Sequence, residues 1–548
     1  MLSKEVYEEL VEAVGPEYVS DEPAVLDGYA WQPSFNVDPD IWIPRPEAVV
    51  LPASTEEVQA VVRLCNEHGM KYKPFSTGWG AHAGPTGEGV IQLDLRRMDR
   101  ILEIDERNMY AVVEPYAVGS QIQAEAMKVG LNTHIIGAGP ACSPLASACS
   151  GWGPGWDGPY MSSGSRNLMG VEWVLPTGEL LRLGSLGSGG GWFSADGPGP
   201  SFRGIMRGRY GAFGGNGVFT KCALKLFNWP GPSRPEAKGL FYDVKAEIPK
   251  NCRLFWLAFS DRERFSEATY RISLEGIGYN VLKMPIGVAL AIVVPHLITA
   301  LKSTPFLRHM LLSLQHGTLE IIVADSPGEL DFKEAVVREI TAENDGVLLN
   351  LGATPLGGVF FWSLISGALP PLAYRPGGQF STGWGQDESW DAVVAWDEAG
   401  ERTKKEWIEK GGCVDDLADA CIDMIWEDGA VSHSEELWFY DPRNESHAEA
   451  VMGMSMDFTT TAIDMCMEQG LNFDPRLRKL FSPMQGNYNL WQKKVAEAFD
   501  PVGAADSTLY TGEDDFDLSG IDPEKLERMA RLVEERTWLK PEEKGERR

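Results

Sequence analysis

The sequence predicts an α+β fold, and three observations support this. Residues 48–52 predict a strand, and Ser54 with Glu57 forms a capping box that begins a helix. Residues 71–75 predict the next strand, which completes a strand-helix-strand unit. Residues 170–184 (GVEWVLPTGELLRLG) predict a hairpin around a Pro-Thr-Gly turn. With 548 residues, 43% of them hydrophobic, the chain can bury cores for two or more domains.

Charge and cysteine content exclude several classes of partner and site. The net charge of −30 repels nucleic acids and anionic lipid head groups. The eight cysteines include no CxxC pair, which disfavours a zinc or iron–sulfur site. Residues 2–14 (LSKEVYEELVEAV) predict an amphipathic helix and not a secretory signal, so we predict a cytoplasmic protein.

Three separated segments are dense in Gly, Ser, Thr and Ala, and each adjoins a predicted strand. They are residues 74–84 (PFSTGWGAHAG), 131–153 (LNTHIIGAGPACSPLASACSGWG) and 208–221 (GRYGAFGGNGVFTK). A backbone of this composition can approach a bulky anion closely and offer its N–H groups. Since the first segment continues the strand at 71–75, the arrangement is typical of a pyrophosphate site.

The order of these segments resembles the FAD-binding domain of the vanillyl-alcohol oxidase and p-cresol methylhydroxylase (PCMH) superfamily, which includes glycolate and D-lactate dehydrogenases. Between them lie strands at 89–95 (GVIQLDL) and 110–115 (YAVVEP) and an acidic turn at 103–108 (EIDERN). The resemblance covers about residues 44–230. It implies a two-subdomain PCMH-type FAD-binding domain, an α+β cap (substrate) domain, and a C-terminal segment that returns to the flavin domain. No G-x-G-x-x-G opens a helix and no G-K-[ST] exists, which argues against a Rossmann fold or a P-loop.

We predict five regions along the chain. A Pro- and Gly-rich stretch at 228–239 indicates the boundary between the FAD-binding domain and the cap. The regions are an N-terminal helical segment (1–41), the FAD-binding domain (42–230), the cap (231–480), the return segment (481–515) and an acidic helical tail (516–548). The most apolar run, 286–301, is too short to span a membrane. We predict a buried cap element there, with a membrane-surface or partner-docking patch as the alternative.

The resemblance assigns FAD to the three loops. The first loop is expected to bind the pyrophosphate through Ser76, Thr77, Gly78, Trp79, Gly80, Ala81 and His82. The second is expected to follow the ribityl chain and pyrimidine edge through Pro140, Ser143, Ser147 and Gly151, and the third to contribute Gly217 and Val218. Histidyl-flavin relatives carry Gly-Gly-His in the first loop. In this chain Trp79 occupies approximately the position of that His, and the nearest histidine, His82, lies further along the loop. We therefore predict non-covalent FAD.

Hydride transfer from an alcohol to flavin N5, the chemistry that the resemblance implies, needs a base for the hydroxyl proton. The densest polar cluster of the cap is residues 432–447 (SHSEELWFYDPRNESH), interpreted as extended or hairpin-like. Its candidates are His433, Glu435, Tyr440 and His447, of which His433 and Glu435 share one face of a strand. Arg375 is a candidate to bind a substrate carboxylate. A solvated loop and a surface salt bridge are the alternative interpretations.

We therefore predict an FAD-dependent dehydrogenase that passes a hydride from a hydroxylated small molecule to the flavin and on to an external acceptor, either a protein carrier or a quinone. A 2-hydroxy acid such as glycolate or lactate is favoured, because GPSFRG (199–204) and GAFGGNGVFT (211–220) look like dehydrogenase relatives. An aryl-alcohol or alkylphenol oxidase or dehydrogenase is the alternative within the superfamily. Two alternatives belong to other functional classes: a non-redox FAD transferase like alkyldihydroxyacetone-phosphate synthase, which would use the same FAD domain, and a flavoprotein electron-transfer subunit. A homo-oligomer is left open.

Overall fold

A computed structural model describes most of the chain. The described residues are 2–30, 44–77, 84–137, 139–150, 153–192, 201–206, 215–239, 245–283, 304–306, 309, 315–354, 357–368, 379–415, 421–441, 443–467, 478–506 and 522–537. Within these ranges no helix is both long and apolar enough to cross a membrane. The apolar run at 286–301, the residues 78–83 of the first loop, and Arg375 lie outside the described residues.

The described chain contains both helices and strands throughout its length. The strands are β1 (Val19–Ser20), β2 (Ala48–Val50), β3 (Lys71–Phe75), β4 (Val90–Asp94), β5 (Ile101–Asp105), β6 (Tyr110–Val113), β7 (Leu131–Asn132), β8 (Leu168–Val174), β9 (Leu180–Arg182), β10 (Val218–Lys225), β11 (Phe227–Asn228), β12 (Ala237–Lys238), β13 (Lys245–Ala246), β14 (Cys252–Phe259), β15 (Asn280–Lys283), β16 (His316–Val323), β17 (Val347–Asn350), β18 (Gln379–Glu388), β19 (Cys421–Trp426) and β20 (Val431–Tyr440). The α-helices are α1 (Lys4–Val14), α2 (Pro23–Ala30), α3 (Thr55–His68), α4 (Gly119–Met127), α5 (Pro144–Ser150), α6 (Gly158–Met161), α7 (Gly164–Asn167), α8 (Arg203–Met206), α9 (Arg262–Leu274), α10 (Pro327–Glu343), α11 (Gly357–Ile365), α12 (Trp390–Glu409), α13 (Glu445–Asp464), α14 (Arg478–Phe481), α15 (Tyr488–Phe499) and α16 (Pro523–Arg536).

The first half of the chain forms a four-stranded and a five-stranded sheet, besides the short two-stranded pairs β7-β11 and β12-β13. One has the order β1-β2-β4-β3, with β2 and β3 both parallel to β4, and the other is the antiparallel sheet β5-β6-β10-β8-β9. Helix α3 covers the first sheet. The predicted N-cap is confirmed, since the Glu57 N–H donates to Ser54 Oγ (3.2 Å). The reciprocal bond of the capping box is shifted by one residue, because the Glu57 carboxylate accepts from the Ala53 N–H (2.7 Å) and not from that of Ser54. The helix ends at Gly69, which is left-handed.

The cap is built on one seven-stranded antiparallel sheet of order β17-β14-β16-β15-β19-β20-β18. Successive side chains on a strand point to opposite faces, so the sheet has two different surfaces. Helices α9, α10 and α12 cover one face, over a core that contains Phe255, Leu257 and Val393. The other face carries Trp256, Leu437 and their neighbours and packs on the first half of the chain. The cap sheet therefore lies directly against the predicted FAD-binding domain.

The C-terminal part of the chain returns to the first sheet, as the predicted fold requires. After α15, the Asp500 carboxylate accepts from the N–H groups of Ala504 (3.0 Å) and Ala505 (2.8 Å), which closes the turn. Tyr72 of β3 then donates its N–H to Ala504 O (2.8 Å), and the Asp506 N–H donates to Tyr72 O (2.9 Å). The segment thus adds a short parallel bridge beside β3.

Two sequence interpretations need correction. The segment 103–108 is a strand as far as Asp105, and only its second half is a turn. The cluster at 432–447 is not one extended span, because β20 ends at Tyr440 and α13 begins at Glu445. Asn444 caps this helix by accepting from the Ser446 N–H (3.0 Å). An Asn before a run of good helix formers was the available signal for this boundary.

Candidate functional site

The first loop leaves the carboxyl end of β3, inside the parallel part of the first sheet. Ligands bind preferentially at such strand ends. Ser76 Oγ donates to Pro115 O (2.5 Å), so this hydroxyl holds the loop to the chain after β6. Thr77 Oγ1 accepts from the Ser143 N–H (3.1 Å), which leaves the Thr77 proton for a donor bond. Gly78, Trp79, Gly80, Ala81 and His82 lie outside the described residues.

The second loop meets the first through that Thr77–Ser143 bond. Ser143 is fully buried, and its Oγ accepts from the Ala146 N–H (3.2 Å) at the start of α5. Ser147 Oγ donates to Ser143 O (2.8 Å), and Pro140 O accepts from the Ser120 N–H (2.9 Å) at α4. The hydroxyls of Thr77 and Ser143 therefore stand together, each using its acceptor side within the described protein. Gly151 lies outside the described residues.

The third loop joins the other two through α5. Leu145 and Ala148 of α5 pack in one core with Phe219 of β10, the residue after Val218. Gly217 has a φ of +98°, and a Cβ placed there would lie 2.3 Å from Val174 O. Glycine is thus required at the entrance to β10 by both conformation and space. The described parts of the three loops are thus linked to one another, and the roles predicted for their residues stay predictions.

A tyrosine–aspartate–arginine cluster adjoins the first loop and was not predicted from the sequence. Asp94 is buried at the end of β4, beside Phe75. Its carboxylate accepts from Tyr29 Oη (2.5 Å) and from Arg96 Nε (2.8 Å) and Nη2 (2.6 Å). The Arg96 side chain is 50% exposed. Its guanidinium is held by the Asp94 carboxylate, so the cluster fixes the end of β4 beside the start of the first loop.

The cap contributes a polar pair to its sheet face that meets the first half of the chain. His433 is fully buried and its Nε2 lies 3.1 Å from Glu435 Oε1. The rings of His433 and Trp426 stack with centroids 6.1 Å apart at 7°. His433 is paired across the strands with Met424, whose Sδ would be 3.6 Å from a Cβ on Gly137. The pair therefore lies close to the second loop.

Tyr440 and His447 are not brought to His433. Tyr440 lies on the opposite face of β20, in a core with Trp396 and Phe458, and burial raises the pKa of its phenol. Seven residues of strand separate it from His433, roughly 23 Å. His447 lies in the first turn of α13, where its Nδ1 accepts from the Asp441 N–H (3.1 Å). Among the predicted catalytic candidates that are described, only His433 and Glu435 occupy one location.

A second buried histidine, His134, was also not predicted to matter. Its Nδ1 lies 2.6 Å from Asp157 Oδ1, and its Nε2 lies 2.8 Å from Gly153 O. Burial alone lowers the pKa of His134, but the charge and hydrogen bond of Asp157 offset this and raise the pKa above its usual value. The two residues are 23 positions apart, so no sequence spacing reveals the pair.

The loop region fits FAD in its donor chemistry. The hydroxyls of Thr77 and Ser143 can donate to phosphate or ribityl oxygens. The segments are also packed closely on one another, because a Cβ on Gly139 would lie 2.9 Å from Cys142 Sγ and one on Gly119 would lie 2.8 Å from Ile135 Cδ1.

Comparison with known proteins agrees with this geometry. Residues 46–184 match a family model described as an FAD binding domain. The chain is 36% identical over 146 residues to 1'-carboxy-chondrochloren decarboxylase of Chondromyces crocatus, covering 26% of each chain. It is 27% identical over 232 residues to glycolate oxidase subunit GlcD of Bacillus subtilis, covering 42% of this chain and 46% of that protein. These alignments span less than two thirds of the relatives' length.

The fold itself matches over nearly the whole chain. The crystal structure of p-cresol methylhydroxylase with substrate bound superposes with a TM-score of 0.72 at 16% identity, covering 93% of this chain and 98% of that one. At this identity the likeness concerns the fold. The predicted fold class and the predicted FAD-binding domain are both confirmed.

Proposed function

We propose that the chain, whose residues 46–184 match an FAD binding domain and whose fold matches that of p-cresol methylhydroxylase, is an FAD-dependent dehydrogenase of the p-cresol methylhydroxylase and vanillyl-alcohol oxidase superfamily. Its substrate would be a hydroxylated small molecule, with a 2-hydroxy acid favoured. The observation that carries the proposal is the His433–Glu435 pair, which lies on the cap face turned toward the flavin loops. A dehydrogenase of an alcohol needs a base at this place.

The chain's own residues would handle the proton and the substrate, while the flavin supplies the hydride acceptor. His433 accepts the hydroxyl proton of the substrate, and Glu435, 3.1 Å away, orients the imidazole and stabilises its charged form. The loops around Thr77, Ser143 and Gly217 would hold the cofactor. Burial of the His433 side chain excludes water from the proton transfer.

The buried indole N–H of Trp426 favours a substrate that carries an oxygen acceptor at this site. Its indole is 5% exposed, and its Nε1–H has no hydrogen-bond partner among the described residues. The ring lies between His433 and Gly158, where a Cβ would be 1.9 Å from Cδ1. A buried donor without a partner is costly, so a substrate carboxylate or hydroxyl is its natural acceptor. Trp426→Phe keeps the stacking and should raise KM more than it lowers kcat.

The test of the proposal is anaerobic reduction of the bound flavin by a panel of glycolate, D- and L-lactate, 2-hydroxyglutarate, aryl alcohols and alkylphenols. Bleaching of the flavin absorbance band by a 2-hydroxy acid supports the favoured substrate class. Bleaching only by phenols or aryl alcohols moves the assignment to the alternative branch. If no compound reduces a fully loaded flavin, the proposal fails in favour of a non-redox transferase or an electron-transfer subunit.

Two histidine variants test the role of the base. His433→Gln should leave FAD content unchanged and slow single-turnover flavin reduction by about 10²–10⁴-fold, the usual scale for general-base catalysis. His447→Gln is the matched control, because His447 only accepts a backbone N–H at the end of β20. Equal rates in both variants would send the role to another residue.

A decarboxylating reaction is the second candidate function. It is favoured by the 36% identity to 1'-carboxy-chondrochloren decarboxylase in the aligned segment. Release of labelled carbon dioxide in step with flavin reduction, from a panel of carboxylated aromatic and hydroxy acids, would establish it. The acceptor is tested separately: stoichiometric peroxide with oxygen alone indicates an oxidase, while turnover only with a quinone or a carrier protein indicates a dehydrogenase.

A further inference from the structure

We propose that the buried His134–Asp157 pair is a positioning element of the flavin site, which joins the second flavin loop to the segment on which the cap sheet docks. The inference rests on the proposed function for its catalytic meaning. Its first measurement is FAD affinity, which does not depend on finding the substrate.

The imidazole of His134 lies between two acceptors. Gly153 O can only accept, and a carboxylate oxygen of Asp157 is the partner of the other ring nitrogen. Both ring nitrogens lie within 2.8 Å of these oxygens, an arrangement that an imidazolium satisfies by donating to both, and the raised pKa of His134 has the same direction. The side chains of His134 and Asp157 are 5% and 7% exposed. A charged pair at this depth is retained only when its geometry is well satisfied.

The pair closes a compact ring of backbone. The second carboxylate oxygen of Asp157 accepts from the Ile135 N–H (2.9 Å), so the aspartate holds both the side chain and the backbone of the second loop. Gly155 leaves no room for a side chain, because a Cβ there would lie 2.5 Å from Ile135 O and 2.6 Å from His134 Cε1. The segment from Gly153 to Asp157 therefore wraps around the imidazolium.

The same segment is the docking point of the cap. Trp156 O accepts from the Val281 N–H of β15 (2.9 Å), a bond that extends from one domain into the sheet of the other. Gly158 lies against Trp426 of β19, and Gly137 lies near Met424 of the same strand. Gly158, next to Asp157, and Gly137, three residues after His134, thus both lie against β19, the strand that pairs with β20 at His433. A shift of the pair would move the flavin loop relative to the proposed base.

The titratable groups around the imidazolium are few among the described residues. Asp157 is one, and the phenol of Tyr279 on the cap is the other. Burial raises the pKa of Tyr279 well above its usual value, and the phenol oxygen accepts from Asn132 Nδ2 (2.8 Å), so it stays neutral. The charge of His134 is therefore the group that titrates first as the pH rises.

The sign of the pH dependence follows from the raised pKa of His134. The contribution of the pair to the stability of the folded second loop is fully present below the unfolded pKa of histidine, about 6.5, and is lost as the pH rises through the folded pKa. Because this loop is expected to bind the cofactor, its FAD affinity should fall over the same pH range. The experiment measures FAD affinity of the apoprotein by quenching of flavin fluorescence between about pH 6 and pH 9. Wild-type affinity should weaken toward the alkaline end, and the midpoint should lie above 6.5.

Three variants complete the test. His134→Gln should bind FAD about tenfold or more weakly at pH 6 and lose the alkaline decline, while Asp157→Asn should move the midpoint downward because the imidazolium loses its counter-charge. His68→Gln is the matched control, since His68 also pairs with a carboxylate, Glu9, at 2.8 Å, but its side chain is 27% exposed and far from the loops. It should behave as wild type.

Two results would overturn the proposal. One is a flat wild-type affinity over the pH range, which can be read even if a variant fails to fold. The other is a His134→Gln protein that keeps the wild-type decline. The failure of the dehydrogenase function gives a different pattern, in which these FAD results hold but no compound reduces the flavin.

Discussion

Replacing Gly217 by alanine tests whether the third loop is held in the flavin-binding conformation by a glycine. Gly217 has a φ of +98°, a region that L-residues rarely adopt. A Cβ there would lie 2.3 Å from Val174 O, 2.9 Å from Trp173 Nε1 and 3.1 Å from Pro176 Cδ. Two of these contacts are with rigid groups, because Trp173 Nε1–H already donates to Asn216 O (2.5 Å). The loop and not its neighbours must therefore move.

The cost can be built from two parts. Holding a non-glycine residue at positive φ costs about 1–2 kcal/mol. Forcing an extra carbon into a packed site costs about 1–3 kcal/mol more. The two costs together should lower the free energy of unfolding of the apoprotein by about 2–5 kcal/mol. FAD affinity should fall at least about tenfold, since a tenfold change corresponds to only about 1.4 kcal/mol.

The variant Gly89→Ala separates the conformational cost from the cost of the clash. Gly89 has a φ of +75° with nothing within 4 Å of an added Cβ, so it carries the conformational cost without the clash. Urea unfolding of both apoproteins and titration with FAD give the comparison. If Gly217→Ala is no less stable than Gly89→Ala and binds FAD as tightly as wild type, the assignment of Gly217 to the flavin site is wrong.

Three further predictions concern buried titratable side chains of the cap. Lys283→Met should cost about 3–5 kcal/mol in urea unfolding, because it leaves the fully buried Asp397 without its lysine partner. Asp397→Asn in the same chain should recover part of that loss, and Lys4→Met, at a side chain that is 89% exposed, should change almost nothing. Burial, Arg262 and Lys283 lower the pKa of His316 to about 4, so stability should fall as the pH drops from about 6.5 toward 4, and His316→Gln should remove that slope in a pH series of urea melts. Glu320 is fully buried, neither carboxyl oxygen has a partner among the described residues, and burial holds its pKa well above the usual range. Glu320→Gln should therefore raise stability at pH 8 but not at pH 4, and equal effects at both pH values would contradict a protonated carboxyl.

The local elements were determined by the sequence. Ser54 and Glu57 cap α3, and glycine follows its end, because capping and left-handed termination depend on residues within one turn. Strand β3 and the hairpin of β8 and β9 follow from short-range patterns in the same way. The order of the three glycine-rich loops was sufficient to predict the FAD-binding domain.

The site itself was decided by tertiary structure. Strand alternation placed His433 and Glu435 on one face, but it could not say that this face meets the flavin domain and that the face of Tyr440 meets helices. The bond from Ser143 to Thr77 spans 66 positions and that from His134 to Asp157 spans 23. Such contacts depend on how sheets and helices pack, and packing joins residues whose separation along the chain carries no periodic signal. The candidate base, the loop junction and the buried His134–Asp157 pair are therefore properties of the folded chain and not of any one segment.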